Sequence, residues 1–367
     1  MVDSTARLRP TDQDWFIPES ESFRMRCATA VATNKFVFAV QFEGDIYDPS
    51  EWSSRIYMCQ DGVWMARDVP TKFAGMVAYG KAGWKHPGFA ALTNDANVWF
   101  VGDDFQETAI QDAAQDGHSF RVTMLGLRAY EDELFAFGMD GLLFRYTNGN
   151  WIRSDSGMFK TEAKFSRPRP VDAGAIISLR DIAKTSSGEL YACGFAAITR
   201  PALFYQSHDA KWLGLNVNEH IPSLDFATLE SILVDDENSI WVATTAGVLL
   251  RGNYRDGFKV VTEVARKAIE GVIPKFRSLV RYRGNVIAGG ENGTFMLNED
   301  GSWRELLSAT PVKSVYYKSE REQAYIDGRI LQVVDSVLFA FGYRTISHFD
   351  GASWTHIEIP PVYRNGR

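Results

Sequence analysis

The chain has 367 residues, a 13% share of aromatic residues and a formal net charge of −7. This acidic balance argues against a nucleic-acid-binding scaffold, because such proteins concentrate lysine and arginine. The three cysteines, Cys27, Cys59 and Cys193, are an odd number at spacings that match no zinc or redox motif. The first ten residues lack the apolar core of a signal peptide and no stretch of about 18 apolar residues follows, so we predict a soluble cytoplasmic protein without a membrane span.

A short apolar run that ends on a small residue recurs seven times along the chain. The runs are residues 36–40, 98–102, 134–138, 190–194, 240–244, 286–290 and 338–342. A turn and a single aromatic residue follow each run, in order Trp64, Phe120, Trp151, Trp212, Phe258, Trp303 and Trp354. A repeat of roughly 40 to 50 residues built from short strands is typical of a β-propeller. We therefore predict an all-β, seven-bladed β-propeller of four-stranded antiparallel blades, or six blades if the turn-poor second copy is irregular.

The third copy shows how one blade is built. Residues 125–131 are predicted as the inner strand A, 134–138 as strand B and 142–146 as strand C, and Trp151 opens the outer strand D. Asn148-Gly149 between two apolar runs is a strong hairpin signal, because both central residues of that turn need positive φ. We expect the aromatic residue after each such corner to pack a blade onto its neighbour. The glycine that ends strand B is expected where a side chain would obstruct the chain.

The repeats predict one domain that spans residues 1–367. The blades are predicted approximately at 22–68, 88–124, 125–155, 176–215, 228–262, 276–308 and 328–360. Residues 14–18 could add the outer strand of the last blade and so close the ring, which would remove a free strand edge. Residues 354–359 could supply that strand instead, and the sequence leaves both closures open.

The length variation between repeats falls on the connections from strand D to the next strand A. These predicted linkers are residues 69–87, 155–175, 214–228, 262–276 and 308–328. In a propeller the D–A and B–C connections lie on one face, and repeat proteins usually carry their insertions on the binding face. The alternative is that long loops are merely tolerated, since loop closure becomes costly only slowly.

Charged and aromatic residues in these connections are the candidate binding residues. Carboxylates are predicted to line the B–C loops of the first two blades, and Glu107 follows the second group. Grouped carboxylates attract a basic protein surface and exposed aromatic residues anchor interfaces, although the same carboxylates could form a solvated rim. The predicted partner-binding residues are Glu43, Asp45, Asp48, Glu51, Trp52, Trp84, Asp103, Asp104, Phe105, Arg169, Tyr343 and Arg344.

Signatures of common catalytic and cofactor sites are missing from the sequence. The six histidines are not paired at metal-ligand spacings, and no glycine-rich phosphate loop or nucleophile elbow occurs. We therefore predict no cofactor, no metal and no catalytic residue. A propeller glycosidase would need two carboxyl groups about 5 to 9 Å apart at the central mouth, and that alternative stays open.

The repeat pattern also resembles that of a known superfamily. The apolar run at 286–290, followed by Asp300-Gly301-Ser302-Trp303, is similar to bacterial-type β-propeller repeat proteins of the WD-repeat-like superfamily. The standard Gly-His and Trp-Asp signatures are lacking, so the partners of standard WD-repeat proteins are not implied. The resemblance implies a partner-binding scaffold, and some intracellular propellers of this kind are immunity proteins that neutralise a toxin.

Together these observations predict a monomeric, non-enzymatic scaffold. It would bind another protein, with a basic surface, through the face that carries the D–A and B–C loops, and it would bind neither nucleic acid nor membrane. The alternative is a carbohydrate-active hydrolase or lyase with carboxylates at the central mouth.

Overall fold

Short hairpins build the fold, and several of their turns form where the sequence has Asn-Gly or Asp-Gly. Asn148 and Gly149 both have positive φ, 50° and 83°, and join two paired strands of the third blade. Asp61 and Gly62 do the same in the first blade, with φ of 52° and 76°. Such turns match the right-handed twist of antiparallel strands, so each one fixes a strand pair locally.

The structure is a computed structural model. It describes residues 23–42, 54–80, 83–111, 123–131, 133–158, 177–196, 200–208, 210–217, 227–236, 239–263, 275–290, 293–316, 319–325 and 328–359. These residues form seven four-stranded antiparallel sheets and one two-stranded hairpin. The predicted seven-bladed propeller is confirmed, and the six-bladed alternative is wrong. That residues 1–367 form one domain stays a prediction, because it extends beyond the described residues.

Each blade consists of four strands that are consecutive in the chain. Blades 1 to 3 are β1 (Phe23–Ala32), β2 (Lys35–Phe42), β3 (Ser54–Gln60), β4 (Val63–Val69); β5 (Phe73–Tyr79), β6 (Gly88–Thr93), β7 (Asn97–Val101), β8 (Phe105–Ala109); and β9 (Met124–Tyr130), β10 (Glu133–Gly138), β11 (Leu143–Thr147), β12 (Asn150–Arg153). Blades 4 and 5 are β13 (Ile177–Lys184), β14 (Leu190–Ala196), β15 (Arg200–Gln206), β16 (Leu213–Leu215); and β17 (Leu229–Asp236), β18 (Ser239–Thr244), β19 (Val248–Asn253), β20 (Gly257–Glu263). Blade 6 and the hairpin are β21 (Phe276–Tyr282), β22 (Asn285–Gly290), β23 (Gly293–Leu297), β24 (Trp303–Glu305), then β25 (Leu307–Tyr316), β26 (Ser319–Tyr325). Blade 7 is β27 (Ile330–Val334), β28 (Val337–Phe341), β29 (Ile346–Phe349), β30 (Trp354–Ile357). A 3₁₀ turn (Met139–Gly141) connects β10 to β11, and no helix of the described residues is long and apolar enough to cross a membrane.

The first strands of the blades are innermost and form a closed ring. Each contacts the first strand of the next blade, and β27 of the last blade contacts β1. Side chains lock neighbouring inner strands: Ser278 Oγ accepts a hydrogen bond from the Leu331 backbone N–H at 3.0 Å. Between blades 7 and 1, Gln332 accepts from the Ala30 N–H at 2.7 Å and donates to the Ala30 carbonyl at 2.9 Å. The outer strand described for the last blade is β30, which belongs to residues 354–359 of the second predicted closure. Residues 14–18 lie outside the described residues, so the choice between the two closures stays open.

Six of the seven aromatic residues predicted to follow a C–D corner pack between blades, namely Trp64, Trp151, Trp212, Phe258, Trp303 and Trp354. Trp212 is 1% exposed in a cluster with Phe135 of blade 3, and its indole N–H donates to the Ser154 carbonyl at 2.7 Å. Trp64 meets Phe36 edge-on at 5.5 Å and shares a cluster with residues of blade 7. Phe120 lies outside the described residues. These residues are therefore part of the core, where aromatic side chains contribute most.

Gly194 and Gly290, which lie in or at the end of second strands, are too close to backbone atoms for any side chain. A Cβ on Gly194 would lie 1.9 Å from the Ser178 carbonyl oxygen, and one on Gly290 would lie 1.9 Å from the Lys275 carbonyl oxygen. Ser178 is at the start of the paired inner strand β13, and Lys275 directly precedes the paired inner strand β21. The prediction that a side chain would obstruct the chain at these positions is confirmed.

The second blade differs from its prediction by one strand. The run 98–102 was expected as strand B of a blade at 88–124, but Asn97–Val101 is strand C of a blade that spans residues 73–109. Strand B is Gly88–Thr93, and all six of its residues are buried. The sequence signature selects the aromatic-rich run, whereas this strand B is rich in alanine. Residues 69–87 are therefore not a linker, because they contain β5.

The last linker was also predicted wrongly. Residues 308–328 contain most of the hairpin β25–β26, and β25 lies beside β30 at the outer edge of blade 7. Most of the predicted linkers 155–175, 214–228 and 262–276 lies outside the described residues.

Candidate functional site

The strand order divides the connections between two faces of the ring. Because consecutive strands run antiparallel, D–A and B–C connections reach one face, named here the D–A face, and A–B and C–D turns reach the other, the A–B face. Tyr343 and Arg344 connect β28 to β29, so they lie on the D–A face. The connection 43–53 of blade 1 begins and ends on the same face, one blade further round the ring.

One group of predicted site residues lies on the opposite face. Trp84 is in the A–B connection of blade 2, Asp103 and Asp104 form its C–D turn, and Phe105 and Glu107 belong to β8. The prediction placed these carboxylates in a B–C loop, which is wrong because the run before them is strand C. They cannot share one rim with residues 43–51.

The residues of this group contact one another. The Trp84 indole N–H donates to Asp104 Oδ1 at 2.5 Å, and the Lys85 backbone N–H donates to Asp103 Oδ2 at 2.5 Å. Phe105 is 54% exposed and meets Trp99 edge-on at 5.6 Å. These bonds hold the A–B connection against the C–D turn, which is a structural role.

Six of the predicted site residues lie outside the described residues. They are Glu43, Asp45, Asp48, Glu51, Trp52 and Arg169.

Around Tyr343 the structure brings together cations from two blades. The Tyr343 carbonyl accepts a hydrogen bond from the Met25 backbone N–H at 2.8 Å, which fixes the B–C loop of blade 7 against blade 1. The guanidinium carbons of Arg329 and Arg24 lie 3.3 Å and 5.6 Å from the centre of the Tyr343 ring. Cations bind aromatic faces at such distances, so the ring holds both arginines at the inner edge of the D–A face.

Two further cations extend this group towards blade 2. Arg26 Nε donates to Gln41 Oε1 at 2.7 Å, and burial followed by the charges of Arg24 and Arg329 lowers the Arg26 pKa. Burial, followed by the charge of Arg26, likewise lowers the pKa of Lys72. Like charges must lie close to one another to shift each other's pKa in this way. Blades 7, 1 and 2 therefore place several positive charges close together at the mouth of the central channel.

Two carboxylates of the inner strands form ion pairs between blades. Asp181 is 1% exposed and accepts hydrogen bonds from Arg128 Nε and Nη2 at 2.6 and 2.7 Å. Glu230 pairs with Arg277 of the next blade at 2.8 Å. Each acid neutralises an arginine of a neighbouring blade, so removing either partner would leave an unpaired charge between blades.

A polar pocket of about 290 Å³ lies on the A–B face between blades 4 and 5. Its wall includes Tyr254, which stacks on Tyr205 with ring centres 3.9 Å apart, and Glu189, which accepts from the Tyr205 hydroxyl. The Arg255 guanidinium lies over the Tyr254 ring. These groups satisfy one another, so the pocket resembles a packed contact between blades. Among the described residues no group of three or more His, Cys, Asp or Glu could hold a metal ion.

Comparison with known proteins supports the fold alone. No protein-family model matches the chain, and no curated protein matches its sequence. The structure is similar to YCF48 from Cyanidioschyzon merolae, with a TM-score of 0.55, 11% identity and coverage of 90% of this chain and 96% of that one. It is also similar to the WD40 propeller domain of Doa1, with a TM-score of 0.52, 11% identity and coverage of 94% of both chains. A third similar structure is Sqt1 from Chaetomium thermophilum, with a TM-score of 0.53, 10% identity and coverage of 92% of this chain and 83% of that one.

The resemblance to WD-repeat-like propellers is thus confirmed for the architecture, and its bacterial-type part stays a prediction. The sequence prediction included Tyr343 and Arg344, which lie on the D–A face, but did not include Arg24, Arg26 and Arg329. Their signal is a basic residue at the start of an inner strand, which becomes visible only when the seven inner strands are aligned.

Proposed function

We propose that this chain is a non-enzymatic scaffold that binds another protein at the D–A face, around the mouth of the central channel. The observation that carries the proposal is the cation group on Tyr343, in which Arg24 and Arg329 lie over one half-buried aromatic ring on the D–A face. Arginine and tyrosine are the residues that most often dominate protein interfaces. A rigid ring also presents them without an ordering cost on binding.

The loop 43–53 of blade 1 extends this surface in the proposal. Glu43, Asp45, Asp48, Glu51 and Trp52 would then meet basic groups of the partner beside the positive mouth, and Arg169 would reach the same face from the D–A connection after blade 3. A face with both signs of charge selects one partner against others, because misplaced like charges repel. Such specificity would suit an immunity-type inhibitor, which must recognise one cognate toxin.

The inner carboxylates favour binding over glycoside hydrolysis. A glycosidase needs two carboxyl groups available to the sugar, one of them as proton donor. Asp181 and Glu230 are instead bonded to Arg128 and Arg277.

Site-specific photo-cross-linking in the native host tests which face binds. A benzophenone amino acid at position 344 lies on the D–A face, and the same amino acid at position 105 is its matched control on the A–B face. We expect a protein adduct at position 344 and none at position 105. An adduct at position 105 alone, or at neither position, contradicts the proposal.

A further inference from the structure

The inner strands share an irregularity at the same place. In each of the first six blades the pairing of the first two strands shifts by one residue near the start of the inner strand. Such a β-bulge leaves one residue outside the ladder. The bulged residues are Arg26, Ala74, Leu125, Arg180, Glu230 and Arg277.

Blade 7 has an equivalent position at Arg329. The backbone N–H groups of Leu279 in blade 6 and Leu331 in blade 7 each donate to a serine of the preceding blade, at 3.2 and 3.0 Å. Leu279 lies two residues after the bulged Arg277, and Leu331 lies two residues after Arg329. Seven equivalent positions around the channel, named here the bulge ring, therefore carry four arginines and one glutamate.

Arg180 and Arg329 of this ring are held by aromatic rings. The Arg180 guanidinium lies 5.2 Å from the centre of the Phe195 ring, as that of Arg329 lies over Tyr343. Arg180 Nε is buried and has no hydrogen-bond partner among the residues that the structure describes. A buried donor without an acceptor costs free energy, and a bound acceptor oxygen removes that cost.

We propose that the bulge ring is an anion site that binds the carboxylates of an acidic segment of the partner protein. The inference rests on the proposed function, because it names the part of the partner that enters the mouth. A guanidinium group can bind a carboxylate through two parallel hydrogen bonds, in a bidentate geometry. Stacking on an aromatic ring uses the flat face of the guanidinium group and not the N–H groups at its edge. Ala74 and Leu125, on the blades between Arg26 and Arg180, leave that part of the ring without charge. The net charge of −7 makes a longer polyanion such as RNA a poor fit, because it would meet the remaining acidic surface.

Fluorescence anisotropy with a fluorescein-labelled deca-glutamate peptide tests the site in low salt. The double variant Arg26→Ser with Arg180→Ser should bind the peptide about tenfold more weakly, since two charge contacts are lost. Arg255→Ser, which removes an exposed arginine on the A–B face, is the matched control and should stay within about twofold. Leu125→Lys adds a cation to the ring and should tighten binding about threefold, so it tests the site even if the double variant does not fold.

The site is refuted if the wild-type protein does not bind the peptide, if Arg255→Ser weakens binding as much as the double variant does, or if Leu125→Lys leaves binding unchanged. Tighter binding of a ten-nucleotide single-stranded RNA than of the peptide also refutes it. A cross-link at position 344 together with a failed peptide assay would leave the proposed function standing and remove only this inference.

Discussion

Replacing Asp181 should destabilise the whole ring, because this carboxylate joins three blades. It accepts from Arg128 of blade 3 at 2.6 and 2.7 Å and, in blade 5, from Ser231 Oγ at 2.9 Å and the Ile232 N–H at 3.0 Å. In Asp181→Ala each orphaned buried donor costs about 1 to 3 kcal/mol. Removing one partner of a buried ion pair costs about 3 to 5 kcal/mol, and the cost here is smaller because the Arg128 side chain is 40% exposed.

We therefore expect Asp181→Ala to lower the free energy of unfolding by about 4 kcal/mol, and Asp181→Asn by about half of that, since the amide oxygen keeps one acceptor. Guanidinium unfolding followed by tryptophan fluorescence measures both values. An unchanged slope of the unfolding free energy against denaturant concentration would indicate an intact native state. Glu107→Ala, on an exposed outer strand, is the control and should stay within about 0.5 kcal/mol. A loss of less than about 1 kcal/mol in Asp181→Ala would refute the view that this carboxylate links the blades.

Three further predictions concern thiols, pH and close packing. All three cysteines are buried, and burial raises the pKa of Cys27 to about 12. A disulfide reagent at pH 8 should therefore label no thiol in the native protein and three thiols in guanidinium. Rapid labelling of native thiols would contradict this. Burial lowers the pKa of His348, so its contribution to stability is present above the unfolded value of about 6.5 and is lost as pH falls below it. His348→Gln should therefore lose less stability than wild type between pH 7 and 5, and an equal loss argues against this role. Gly194→Ala should cost about 1 to 3 kcal/mol because its Cβ would meet the Ser178 carbonyl, whereas Gly80→Ala, with no atom within 4 Å, should be nearly neutral; equal effects in thermal melts would contradict the packing argument.

The blade architecture could be predicted because its turns are encoded locally. Asn148-Gly149 must adopt positive φ, and the structure shows this for both residues. The two runs of the second blade could not be assigned to their correct strands from the sequence. Gly88–Thr93 and Asn97–Val101 are both apolar and short enough to be any strand of a blade. Burial on both faces makes the second strand continuous in apolar character, and this property does not distinguish it from its neighbour.

The residues of the D–A face could be predicted only in part, because loop residues are visible in the sequence whereas bulges are not. Tyr343 and Arg344 follow a repeat run directly, so their position on the D–A face could be predicted. Arg26 and Arg180 belong to inner strands, and their place depends on a one-residue shift in pairing that the sequence does not mark. The one-strand error in blade 2 moved Asp103 and Asp104 to the wrong face, since each strand reverses direction.

A structure of the protein with a bound acidic peptide tests the central claim most directly. The account predicts peptide carboxylates within hydrogen-bond distance of Arg26 and Arg180, at the mouth of the channel on the D–A face. A peptide bound in the pocket between blades 4 and 5 on the A–B face, with the channel mouth unoccupied, would contradict it.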